Sequence, residues 1–240
     1  MARHALYYTL LETLAEPGCA ICRMGEKAVI RFLENLVYEG ANDAQFRAEA
    51  LLSRGFCNLH GWQLRDCHGS GLDVAILSRD VVKAWLRRLE SFAPEQAPTR
   101  AFSDLRAALG MANGNAGARA LAEALAPERP CPACKARDTA EQAYIEELLD
   151  HCADPEISGG VIRAGGLCLT HFRKVMHTAA TAEQAALIAQ LQAEALAPLL
   201  QTLEDFICKH DYRFQAEMTA TEGESWLKAL ALLSGQRGTR

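Results

Sequence analysis

Two six-residue stretches decide how this chain is read: GFCNLH at residues 55–60 and GLCLTH at residues 166–171. Both spell Gly-apolar-Cys-x-x-His, and each follows a Cys-x-x-Cys, in PGCAIC at 17–22 and in RPCPAC at 129–134. Subtraction puts the landmarks in register. Cys131 − Cys19 and Cys134 − Cys22 are both 112, while Cys168 − Cys57 and His171 − His60 are both 111. A single-residue deletion therefore aligns all four positions. The flanks agree as well, LLETLAEPGC with LAEALAPERPC and LLSRGFC with VIRAGGLC. An internal repeat of this kind sets the architecture before any single element is assigned.

Between the landmarks the apolar period is helical. Leu6, Leu10 and Leu14, with Leu11 alongside, form a stripe that stops before Pro17. A second helix is predicted from about Ile21 to Tyr38, and a short one after the cap residue Asp43, ended by Gly55. Another begins near His60, and Leu72 to Phe92 is a long helix carrying Val74, Leu77, Val81, Trp85 and Leu89. The second copy repeats this order. Asp154 is its cap, and a capping box of Thr181 and Gln184 opens a helix running to about Cys208. No stretch alternates as a strand does, so the predicted class is all-α. The expected division is a first helical repeat at 1–95, a linker at 96–117 rich in Pro, Gly and Asn around one short helix, a second repeat at 118–208 and a tail at 209–240.

The paired motifs carry the chemistry. A Cys-x-x-Cys turn aims two sulfurs at one point, and Cys-x-x-His aims a sulfur and an imidazole. Three thiolates and one imidazole are a set that Zn²⁺ takes in a closed tetrahedral site. Taken copy by copy, the expected quartets are Cys19, Cys22, Cys57 and His60, then Cys131, Cys134, Cys168 and His171, with one zinc ion stapling each repeat. Each half-site precedes or opens a predicted helix, whose free N–H groups and positive dipole end favour thiolates. Four protein ligands leave no open position, which points to a structural ion. An iron–sulfur cluster or a thiol-based redox role is the alternative, since His can replace Cys as a cluster ligand. Cys67, Cys152 and Cys208 belong to no quartet and read as small apolar side chains.

Composition narrows the rest. The chain has 240 residues, half of them hydrophobic, with a net charge of −5. Residues 1–120 hold 14 Lys/Arg against 13 Asp/Glu, and the remainder 11 against 17. That balance offers no general grip on nucleic acid. Arg79, Lys83 and Arg87 share one helical face but read as a solvated surface diluted by Asp80 and Glu90. Nothing approaches the roughly 18 apolar residues that cross a bilayer, and the N-terminus makes a poor signal peptide. A cytoplasmic protein is the expectation, and in a reducing compartment patterned cysteines bind metal more often than they form disulfides. No phosphate loop, dinucleotide fingerprint or nucleophile elbow occurs.

The tail has no counterpart in the first copy. KHDYRF at 209–214 is followed by ESW at 224–226, where Ser225 reads as the cap of a final helix. Asp211, Arg213 and Trp226 are candidates for a partner-binding groove, because a forked guanidinium beside an indole is a recurring recognition pair. With this tail and the motifs CAIC…SRGFCNLHGWQL and CPAC…GGLCLTHF, nearly the whole chain resembles an uncharacterised bacterial family, a domain of unknown function. Members of that family carry two such Cys-rich modules and a similar tail. The resemblance implies a soluble helical protein whose defining positions are the eight Cys and His residues. It implies no activity. The expected function is a non-enzymatic, zinc-binding helical module whose partner is another protein.

Overall fold

The structure, a computed structural model, describes residues 5–39, 43–92, 116–211 and 217–236. Every regular element among them is a helix. In chain order these are α1 (Ala5–Leu14), α2 (Ala20–Glu39), α3 (Ala44–Leu52), α4 (Asn58–Asp66), α5 (Gly71–Glu90), α6 (Ala116–Leu125), α7 (Pro132–His151), α8 (Pro155–Ala164), α9 (Leu169–Thr178), α10 (Ala182–Lys209), α11 (Ala220–Gly223) and α12 (Ser225–Ser234). The all-α expectation holds. Most of the expected linker lies outside the described residues, and α6 begins at its Ala116 end.

The same local chemistry shapes the helices that precede the two Cys-x-x-His motifs. Asp43 caps α3 by accepting from the Gln45 amide, and Asp154 caps α8 by accepting from the Glu156 amide. Both helices then end in the same way. The Gly55 amide returns to the Ala50 carbonyl at 2.7 Å, and the Gly166 amide to the Val161 carbonyl at 2.9 Å. This is the six-to-one bond of a Schellman stop. Two consecutive residues are left-handed in each turn, Arg54 and Gly55 at φ 57° and 88°, Gly165 and Gly166 at 87° and 82°. Arg54 is the one non-glycine among the four. Its guanidinium donates to the Leu51 and Ala124 carbonyls, both at 3.0 Å, and to Glu128 at 2.9 Å, which holds the unfavourable backbone in place. The capping box of Thr181 and Gln184 on α10 is present as predicted.

The contacts divide the chain into two compact units, residues 1–30 with 136–240, and residues 31–135. These boundaries differ from the repeat boundaries: one falls within α2 and the other within α7. In the first unit, α8 packs on α1 and α10, and α12 packs on α9 and α10. Tyr7, Leu10, Ile21, Ile145, Leu148, Ile157 and Ile188 are all 2 % exposed or less and form the centre of its core. Tyr7 sends its hydroxyl to Asp154 at 2.9 Å, so even the largest core side chain keeps its polar atom satisfied. In the second unit α5 packs on α3, α4 and α6, with Leu64, Leu77 and Ala50 buried. Arg47 of α3 grips Asp80 of α5 through Nε at 2.8 Å.

Candidate metal centres

The helix starts are where the cysteines sit. Cys19 immediately precedes α2 with Cys22 in its first turn, and Cys131 and Cys134 stand likewise at α7. Cys57 and Cys168 are the N-cap residues of α4 and α9, with matching backbone angles (φ −67°, ψ 168° and φ −66°, ψ 158°). Neither thiol caps its own helix. His60 and His171 follow one turn later and are 2 % and 1 % exposed.

All eight residues gather into two clusters, but not in the combination read copy by copy. Cys19 and Cys22 meet Cys168 and His171, while Cys57 and His60 meet Cys131 and Cys134. Each Cys-x-x-Cys is thus completed by the Cys-x-x-His of the other expected repeat, and the expectation of one staple within each repeat is corrected. The physical reason is packing. Residues 1–30 form one compact unit with 136–240, which brings the start of α2 to the start of α9. Each cluster lies wholly within one unit.

In the first cluster, His171 Nδ1 stands 3.2 Å from Cys168 Sγ, 3.3 Å from Cys22 Sγ and 3.5 Å from Cys19 Sγ, with Cys22 and Cys168 sulfurs 3.6 Å apart. In the second, His60 Nδ1 stands 3.3 Å from Cys57 and Cys134 and 3.5 Å from Cys131, with Cys57 and Cys134 sulfurs 3.8 Å apart. Within each cluster the four ligand atoms lie within 4.8 Å of one another. A tetrahedral ion with bonds of about 2.3 Å to sulfur and about 2.0–2.1 Å to nitrogen needs S···S edges of roughly 3.8 Å and S···N edges of roughly 3.5 Å. Both clusters fit one ion each, and both could hold a metal.

The electrostatics of the first cluster reflect the same close approach. Hydrogen bonds from Cys168 and Cys19 hold the Cys22 thiol far below the ordinary range, with the Gln236 backbone N–H adding to them. The Cys19 thiol is raised by the same sharing, chiefly with Cys168 and Cys22, and by burial. Burial pulls the His171 imidazole down, but Cys168, Cys22 and Glu141 together push it up to about 11. A bound divalent cation would replace this sharing, because metal ligation requires thiolates and a neutral imidazole. In the second cluster burial and the neighbouring thiols push Cys134 up to about 12.

The clusters differ in their surroundings. All four residues of the first are buried, whereas Cys57 and Cys134 of the second are half-buried. Of the remaining cysteines, Cys152 is buried and Cys67 half-buried, while Cys208 is exposed and does not serve the core. In the tail, Trp226 is half exposed on α12, and Asp211 follows α10 with its amide on the Cys208 carbonyl at 3.1 Å. Arg213, and with it the expected groove, lies outside the described residues. Ser225 is not the cap of the last helix: it is fully buried as the first residue of α12, and its hydroxyl donates to the Glu222 carbonyl. Thr219, in a capping box with Glu222, takes that role one short helix earlier.

A bacterial family of unknown function, DUF6062, matches residues 10–238. This chain is a DUF6062 protein. It is also 22 % identical over 230 residues to an uncharacterised 23.9 kDa protein in the xynA 3' region of Caldicellulosiruptor sp. (strain Rt8B.4), covering 94 % of this chain and 99 % of that one. No solved structure matches. For this DUF6062 member the two clusters are therefore the most concrete chemical feature, and no described helix is long and apolar enough to cross a membrane.

Proposed function

We propose that this protein is a cytoplasmic, non-enzymatic, zinc-binding helical module, holding one Zn²⁺ in each cluster and offering an apolar surface to a protein partner. The observation that carries the zinc reading is the edge lengths of the two quartets, which suit a single tetrahedral ion. An iron–sulfur cluster interposes several irons and sulfides between its ligands and needs a wider cage than atoms all within 4.8 Å of one another. With thiolates and imidazole in all four positions, the ion's role is to tie α2 to α9 and α4 to α7 at their N-termini. The binding energy of each ion is then folding energy.

Support for a protein partner comes from the second unit. Trp62 of α4 and Val82, Trp85 and Leu86 of α5 are each about half exposed, and Trp62, Val82 and Trp85 line an open groove of about 490 Å³ that reaches Cys57. Clustered large apolar side chains at a surface mark interaction sites more often than scattered ones do. Native mass spectrometry of the purified chain tests the metal. Two zinc ions per chain are expected, and stoichiometric iron or no metal would overturn the assignment. For the partner, Trp85→Asp should abolish a specific co-purifying protein while leaving zinc content unchanged. If wild type retains no protein, the interaction reading falls.

A further inference from the structure

The first centre has a buried carboxylate beside its histidine ligand. Beside the first, Glu141 of α7 is 1 % exposed, and its Oε2 lies 3.2 Å from His171 Nε2. The carboxylate sits off the ring N–H axis, and His171 Nε2 has no other partner among the described residues. Lys174 Nζ reaches the same oxygen at 2.5 Å, and Arg137 Nε stands 3.5 Å from Oε1. A divalent ion, three thiolates and neutral imidazole carry −1 and Glu141 makes −2, against which Lys174 and Arg137 stand, Arg137 also facing Asp138 at 3.4 Å.

Room for Glu141 comes from Gly25 on α2. A Cβ there would stand 2.8 Å from Glu141 Oε1 and 3.0 Å from Arg137 Cγ. It would also stand 3.1 Å from Glu141 Cγ, so the whole side chain would have to shift. The register shows that this Glu–Gly pair is not repeated at the aligned positions. At the offset of 112 that aligns the Cys-x-x-Cys motifs, Glu141 corresponds to Val29 and Gly25 to Arg137, neither of which can reproduce the pair.

Resting on the zinc reading above, we propose that Glu141 is a positioning residue that makes the first centre the slow-exchanging one, while the second centre, two of whose ligands are only partly buried, exchanges its ion with solvent first. Glu141 stands at ion-pair distance from His171 Nε2, the ring edge opposite the Nδ1 that faces the thiols, where a buried carboxylate favours this ring orientation for a ligand histidine. Cys57 and Cys134 have no such enclosure, so a chelator or a competing soft cation reaches them first.

The test uses zinc-loaded full-length protein, with metal content confirmed at the start. Timed exposure to a chromophoric chelator is followed by alkylation and mass mapping of cysteines. Expected in wild type is early release with labelling of Cys57, Cys131 and Cys134, then late release with labelling of Cys19, Cys22 and Cys168. Glu141→Ala should speed the late phase roughly 10- to 100-fold, the usual cost of losing an outer-shell partner, and leave the early phase unchanged. Gly25→Ala should act in the same direction even though alanine favours the helix, and Glu141→Gln should restore part of the delay. One common rate for both cysteine sets in wild type would overturn the proposal. So would equal acceleration of both phases by Glu141→Ala, or none. Absence of zinc before chelator is added would instead overturn the zinc reading itself.

Discussion

The sulfurs of Cys22 and Cys168 stand 3.6 Å apart although the residues are 146 positions apart in the chain. Cys57 and Cys134, 77 apart, approach to 3.8 Å. These crossed pairs have a direct stoichiometric consequence. Cys22→Ser and Cys168→Ser should each remove one zinc, and the double variant should still lose one. Cys22→Ser combined with Cys57→Ser should lose both. Native mass spectrometry counts the ions, and the opposite result would restore quartets formed within each repeat.

Stability should follow the metal. Cys168→Ser removes a buried ligand and should cost about 4 kcal/mol or more, the range reserved for lost metal sites and similar failures. Chelator should lower the melting temperature of wild type in the same direction. Cys67→Ser should stay within about 1 kcal/mol, because that half-buried thiol joins neither cluster. Thermal melts of the three samples decide, and equal losses would mean that ligands and bystanders cannot be told apart.

The glycines of the two stops are predicted to differ. At Gly166 a Cβ would meet the Gln192 side-chain amide at 2.9 Å, and that amide bridges Leu167 by donating to its carbonyl and accepting from its N–H. Gly55 has open space around the same position. Gly166→Ala should therefore cost about 2–3 kcal/mol, backbone strain plus a displaced bridge. Gly55→Ala should cost about 1–2 kcal/mol, from strain alone. Denaturant titration of both variants checks the order.

Acid should weaken the link between α3 and α5. The Arg47 hydrogen bond, aided by Arg79, holds the Asp80 carboxyl below its ordinary value. A depressed acid adds stability that is present above its unfolded-state pKa, about 3.9, and is lost as pH falls through the lower folded-state value. The stability difference between wild type and Asp80→Asn should be constant near neutrality and shrink below about pH 4. A difference that grows with acid would contradict the pairing.

Much of the local structure was legible because its causes are local. Asp43 and Asp154 cap helices through amides two residues on, Thr181 closes a box with Gln184, and Gly55 and Gly166 supply left-handed stops. Ser225 misled for a related reason. Serine is a good cap in any helix start, and nothing nearby revealed that Thr219 and Glu222 would begin a short helix first. Glu141 carried no signal at all. A glutamate inside a helical stretch reads as solvent-facing until the fold places His171 beside it.

The amino-acid sequence by itself determined the helical class, the caps and the eight positions able to bind a soft cation, because these depend on residue type at fixed short spacing. It could not decide which half-sites meet. Either Cys-x-x-Cys combined with either Cys-x-x-His yields the same three thiolates and one imidazole, so ligand chemistry is degenerate between the pairings. Tertiary packing broke that tie. Burying Ile21, Ile145, Leu167 and Val175 in one core sets the start of α2 beside the start of α9, and the sulfurs follow the helices that carry them.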